Sequence, residues 1–215
     1  MTARALVQCG VVRQRDLQRE ATREQIFTAA MKLFDDRGYD QVGIDDIVVG
    51  ARVARGTFYF HFAAKDDLLI ELIRRSDAHI LGRVATAFPV GARAAKAARG
   101  RSLRAVLRVT TDAFAEVWQD RRTLLPHAGA VALRRIAAVE AAREQQPLRI
   151  ELVKHVAAAV AAGELRAKLP AQILADVFLL NVFAALMAWA AAGAPPLPII
   201  LAGVIDLFLH GATGA

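Results

Sequence analysis

Cysteine is almost missing from this chain: Cys9 is its single thiol. One cysteine cannot close an intramolecular disulfide, which fits a reducing, cytoplasmic setting. Its place in an arginine-dotted N-terminal stretch reads as a chance cysteine rather than a redox sensor. Long β-branched runs are few and alanine dominates, so an all-α fold is the expectation. Near the N-terminus no continuous apolar core precedes a small-residue cleavage site, so no secretory signal is expected. Internal repeats and low-complexity linkers are absent as well. Catalytic signatures are missing: no Gly-rich phosphate loop, no serine nucleophile elbow. The five histidines, His61, His79, His127, His155 and His210, show no metal-ligand spacing. The expectation is therefore a non-enzyme with no cofactor and no bound metal.

What is present is apolar and basic. Hydrophobic residues make up 55% of the 215 positions, and the mean hydropathy is +0.32. That is enough to fill a core and excludes a disordered chain. The net charge is +7, yet through Arg75 there are 12 Lys/Arg against 11 Asp/Glu, leaving 16 against 10 downstream. Overall basicity is thus poor evidence for a nucleic-acid partner; placement has to carry that argument. One local excess is well placed, since Arg4, Arg13, Arg15, Arg19 and Arg23 face only Asp16 and Glu20. Residues 1–21 are read as a basic, flexible arm, either reaching DNA or simply solvated.

Periodicity and punctuation divide the rest into helices. The first is expected from Thr22, as N-cap, to about Arg37, with Ile26, Ala29, Ala30, Leu33 and Phe34 on one face and Gly38 as its stop. Short helices follow over Ile44 to about Ala51 and Ala54 to about Phe62. A longer one opens at Lys65-Asp66-Asp67 and ends near Phe88-Pro89. Beyond it, helices are expected at roughly 92–119, 124–143, 147–163, 170–193 and 197–211, with Pro126, Pro147, Pro170 and the Pro195-Pro196-Pro198 cluster at their starts or joints.

The most informative run is RGTFYFHF, residues 55–62, which follows IDDIVVGARVA, residues 44–54. Two short helices joined by a tight turn are a DNA-reading layout. The expectation places Arg55, Thr57, Tyr59 and His61 on the groove side, with Phe58, Phe60 and Phe62 on the apolar side. Residues 22–72, with the run GTFYFHF followed by Lys65-Asp66-Asp67-Leu68-Leu69, resemble the N-terminal domain of the TetR family of bacterial regulators.

The resemblance implies an all-α architecture in two parts. An N-terminal three-helix helix-turn-helix DNA-binding domain spans 22–75, and a helical effector-binding and dimerisation domain spans 76–215. Thr57, Tyr59, His61 and Lys65 then offer donors for phosphate oxygens, which set register without reading sequence. Arg55 can fork onto guanine O6/N7, and Val53 or Ala54 can touch a thymine methyl. Gly56 permits close approach to the DNA backbone. Three positions depart from the family pattern. Arg52 stands where a glycine usually makes the turn, at a cost of roughly 1 kcal/mol. Ala54 replaces a Ser or Thr cap, a loss of about 1 kcal/mol, and Gly43 replaces another hydroxyl cap, a loss of a few tenths. Arg52 also offers a further phosphate contact.

Residues 171–193 are apolar for over 20 positions, long enough for a membrane span. Asp176 and Asn181 interrupt them, Asp206 interrupts the following stretch, and no aromatic belt brackets both ends. Burial against a second copy is preferred, and the resemblance implies a homodimer through residues 170–211. It also implies an effector pocket, for which Phe114, Trp118, His127, Phe178, Asn181, Phe183, Met187 and Trp189 are candidates by residue type. Their composition points to a hydrophobic small molecule, with His127 and Asn181 to orient it. Arg93, Lys96, Arg99, Arg101, Arg104 and Arg108 form an acid-free stretch, read as a solvated helix face. The expected function is a ligand-responsive, cytoplasmic repressor that binds a palindromic operator in double-stranded DNA. A ligand-binding scaffold with weakened DNA binding and a membrane-anchored helical protein stay open as rivals.

Overall fold

The computed structural model describes residues 3–88, 102–138, 146–165 and 168–213. Among these the chain is helical, with no strand. The helices are α1 (Ala3–Arg37), α2 (Ile44–Ala51), α3 (Arg55–His61), α4 (Asp66–Ala87), α5 (Leu103–Trp118), α6 (Leu125–Ala138), α7 (Pro147–Ala161), α8 (Ala171–Ala192) and α9 (Leu197–Thr213). They pack as two compact units, Met1–Leu69 and Ile70–Ala215, with α4 beginning in the first and continuing in the second.

In the first unit α1 buries Ile26, Phe27, Ala30, Met31 and Phe34, a stripe repeating every four residues, and Gly38 ends the helix at φ +81°. Against it stand Val42, Ile47, Ala51, Phe58, Phe62, Leu68 and Leu69. The helix starts at Ala3 rather than at Thr22. Thr22 is no N-cap; its hydroxyl donates to the Gln18 carbonyl one turn back. The segment expected as a flexible arm is therefore helical from Ala3 onward.

In the second unit α8 packs on α6, α7 and α9, and α5 packs on α7 and α9. Ser102 caps α5, accepting from the Ala105 N–H, and Pro147 opens α7. Gly193 closes α8 at φ +73°, and the Arg122 guanidinium lies over it, donating to the Ala190 and Ala191 carbonyls at 3.0 and 3.2 Å. A cation is thereby set on the negative end of the most apolar long helix. Among the described residues α8 is the helix long and apolar enough to cross a bilayer. One face of it, with Leu174, Phe178, Val182, Leu186 and Trp189, is buried within the unit. The opposite face leaves Ile173, Val177 and Leu180 exposed, and α9 leaves Ile199 and Leu207 exposed. Most of the acid-free basic stretch, from Arg93 to Arg101, lies outside the described residues. Within them, Arg104 of α5 pairs with Asp206 of α9.

Candidate nucleic-acid interface and ligand cavity

The turn between α2 and α3 is closed by backbone bonds from both sides. Arg52 N–H donates to Val49 and Val53 N–H to Val48, at 3.1 and 3.0 Å, the pairing of a Schellman motif. Arg52 holds the left-handed position at φ 53°, so an arginine bears the strain that a glycine would avoid. Ala54 is the N-cap of α3 and provides no side-chain cap. Gly43 begins α2, and its N–H is taken by the Asp46 carboxylate at 2.8 Å. That bond, followed by the Arg37 contact at 2.9 Å, lowers the pKa of Asp46 below the usual carboxylate range. Compensation for the weak caps comes from α1. Gln25 donates to the Ala51 carbonyl at the end of α2, and Arg23 donates to the His61 carbonyl at the end of α3. Both helices are thus held at their C-termini by one partner helix.

Alternate positions on a helix are about 200° apart, so Arg55, Thr57, Tyr59 and His61 cannot share a side. They form two pairs. Arg55 and Tyr59 are exposed, the guanidinium 5.9 Å from the ring centroid, while Thr57 and His61 are half-buried. Phe60 does not join the apolar side. Phe58 and Phe62 are buried, whereas Phe60 is 65% exposed beneath the Arg19 guanidinium, 5.0 Å away. Gly56 is exposed, and a Cβ there would meet nothing within 4 Å. The outward surface of α3 is therefore Arg55, Gly56, Tyr59 and Phe60, with Arg52 and Val49 flanking it from α2 and the turn.

The expected phosphate donors are differently employed. Lys65 donates to the Tyr39 and Val42 carbonyls at 3.0 and 3.1 Å and lies 4.0 Å from the Tyr39 ring centroid. It is a clamp between the start of α4 and the α1–α2 loop, with two of its three donors committed. Tyr39 in turn donates to Asp66 at 2.6 Å. Burial first, then Arg19 and Arg23, hold the His61 pKa below the usual imidazole range, which disfavours its cationic form. Arg55 is held by Asp45 at 2.6 Å across the turn.

Within the second unit a cavity of about 180 Å³ opens between α4, α5, α6, α8 and the start of α7. Four of the expected residues line it, Phe114, Trp118, Phe183 and Met187. Four others do not. Phe178 is core, edge-on to Phe208 with ring centroids at 5.4 Å, and Trp189 is buried on α8. Asn181 turns back to the Val177 carbonyl of its own helix, and His127 is half-buried on α6 outside the lining. A helical asparagine satisfying the preceding turn has little left to orient a ligand. Gly129 of α6 makes room for the lining, since a Cβ there would come within 2.6 Å of Met187 Sδ. The polar residues of the cavity are Ser76, Asp77, Gln146 and Arg149, none of which is marked by sequence pattern. Ser76 and Asp77 sit in the middle of a helix whose spacing flags only its leucines and isoleucines. Arg149 forms a two-point pair with Asp176 at 2.6 and 3.1 Å. Ser76 Oγ is buried without a partner, and burial pushes the Asp77 carboxyl up to about 6.

Comparison with known proteins matches the first unit by sequence and the described chain by fold. Residues 26–72 match the family described as bacterial regulatory proteins, tetR family. A helix-turn-helix transcriptional regulator of Bacillus subtilis, YwcC, is 42% identical over 59 residues, covering 27% of this chain and 26% of that protein. The regulator EthR of Mycobacterium tuberculosis is 33% identical over 78 residues, 35% of this chain and 36% of that one. These sequence matches thus span about a quarter to a third of the relatives' length. Among solved structures, Thermus thermophilus FadR, a transcriptional repressor crystallised with lauroyl-CoA, superposes with TM-score 0.66 at 26% identity, over 90% of this chain and 96% of that one. All three are named as transcriptional regulators.

Proposed function

We propose that this chain, whose residues 26–72 match the tetR family of bacterial regulatory proteins, is a TetR-family, ligand-responsive repressor binding a palindromic operator as a homodimer. The observation that carries this reading is α3, a two-turn helix held from behind by Phe58 and Phe62 and by the Arg23 bond, with Arg55, Gly56 and Tyr59 outward. Arg55 must leave Asp45 to reach a guanine edge; both side chains are more than half exposed, so that exchange is inexpensive. Arg52, Thr57 and Tyr59 are assigned to phosphates, with Lys65 contributing its one uncommitted donor.

Dimerisation is assigned to residues 170–211. The exposed apolar stripes on α8 and α9 support it, because an isologous pairing of two such faces buries them together. Two copies of α3 then read half-sites about 34–36 Å apart. The cavity is assigned to a largely apolar small molecule, as its lining supports and as the lauroyl-CoA complex of the Thermus thermophilus protein makes natural. A ligand that favours the arrangement unable to span both half-sites lowers operator affinity, and α4, a wall of the cavity, transmits the change.

Selection of host genomic fragments by the purified full-length protein, at physiological salt, tests this. One enriched palindrome is expected, with Arg55→Ala blurring base preference at one position of each half-site. Salt-sensitive binding without sequence preference would overturn the regulator reading and leave a ligand-binding scaffold.

A further inference from the structure

The effector cavity holds an unmatched acid, and that fixes the chemistry of what it takes. We propose that the natural effector is an apolar molecule carrying a protonated amine, whose ammonium is received by Asp77 with Ser76 as a second acceptor. This deepens the reading of the second unit as effector-binding and rests on it.

The argument is one of charge and hydrogen-bond accounting around a single cavity. Ser76 is 96% buried by its 4% exposure, and its Oγ has no partner. A helical serine ordinarily bonds back to the preceding turn or to water, so a buried hydroxyl without a partner in the wall of a cavity is an unmet acceptor and donor. Asp77 lies beside it on α4, lines the same cavity, and is given no hydrogen bond or ion pair by any described residue. The surrounding cations are committed elsewhere. Arg74 and Arg75 of α4 hold Glu71 at 2.7 and 2.8 Å, and Arg149 of α7 holds Asp176 of α8. The walls given by α5 and α6 are apolar. The one described cation lining the cavity, Arg149, is thus neutralised by Asp176, and Asp77 is left as a carboxylate without a counter-charge of its own among the described residues. Burial alone raises its pKa to about 6, so at neutral pH it is ionised in a place that disfavours the charge. A ligand ammonium removes that penalty, an alcohol removes part of it, and a carboxylate adds to it.

The test uses three probes that differ only in the head group: 4-phenylbutylamine, 4-phenylbutanol and 4-phenylbutyrate, titrated calorimetrically into the full-length protein at pH 7.5, with lauroyl-CoA in parallel. The amine is expected to bind at least about tenfold tighter than the alcohol, and the carboxylate weakest. Asp77→Asn should remove the amine's advantage while leaving the alcohol's affinity within about twofold. Between pH 7.5 and 5 the amine should weaken about tenfold in the wild type as Asp77 takes up its proton, and hardly at all in the variant. Failure of all three probes to bind, tighter binding of 4-phenylbutyrate or lauroyl-CoA than of the amine, or an unchanged amine affinity in Asp77→Asn would overturn the proposal. Operator selection on the same preparation separates the two readings. Operator binding without amine preference overturns only the ligand class. Amine preference without operator binding supports the ligand class and overturns only the regulator.

Discussion

The two units differ in which polar groups they leave unmet. In the first, polar groups close the turns: Lys65 on two carbonyls, Gln25 and Arg23 on helix ends, Asp46 on Gly43, Tyr39 on Asp66. In the second, helix ends and ion pairs are closed as well, yet the largely apolar cavity keeps Ser76 and Asp77 without partners among the described residues. On the proposed reading, a surface that fits DNA needs a rigid backing, and internal bonds supply rigidity. On the same reading, a pocket that answers to a ligand keeps unmet demand until the ligand arrives, at a cost to the empty protein. The contrast gives each unit its own set of sensitive residues.

The largest effect is expected at the backing of α3. Phe58 is wholly buried, so Phe58→Ala should destabilise the first unit by about 3–5 kcal/mol. Thermal unfolding followed by circular dichroism should show loss of that unit together with operator binding. Retention of both would remove the idea that α3 is positioned by its core face.

Asp77→Asn should move stability the other way. The folded carboxyl titrates near 6 and the unfolded one near its ordinary value of about 3.9. Between these values the folded state holds more protons, so stability falls as pH rises through the window from about 4 to 6. Above it the loss is complete, of order 1–3 kcal/mol. The asparagine variant should therefore melt higher than wild type at pH 7.5 and show no such decline. A lower melting temperature at pH 7.5 would mean that Asp77 meets its demand within the protein.

At Lys65 the expected effect is smaller. Lys65→Ala removes two charge-assisted bonds and should cost about 1–2 kcal/mol. Affinity should weaken on all DNA sequences alike, accompanied by a lower melting temperature. Weaker DNA binding at unchanged stability would return Lys65 to a purely phosphate-facing role. Arg52→Gly is expected to do least. It relieves the left-handed strain and should stabilise by up to about 1 kcal/mol, offset by glycine's greater freedom when unfolded. A fall in operator affinity at the same time would assign the Arg52 side chain to DNA.

Local chemistry made much of this molecule legible without coordinates. The helix periods, Gly38 as a stop, Pro147 at a start and the GTFYFHF run all act over a few residues, so a linear reading captures them. The sequence also determined that the turn after α2 would lack glycine and α3 a hydroxyl cap. Tertiary structure alone decided what replaces them, because Gln25 and Arg23 lie 26 and 38 residues from the carbonyls they hold. It also decided that Phe60 faces out and that Lys65 turns inward. Above all it decided which polar groups face the cavity. Residue type pointed to His127 and Asn181, yet a side chain's partners depend on where the helices cross. That crossing set Ser76 and Asp77 in the wall of a largely apolar cavity, without a partner among the described residues.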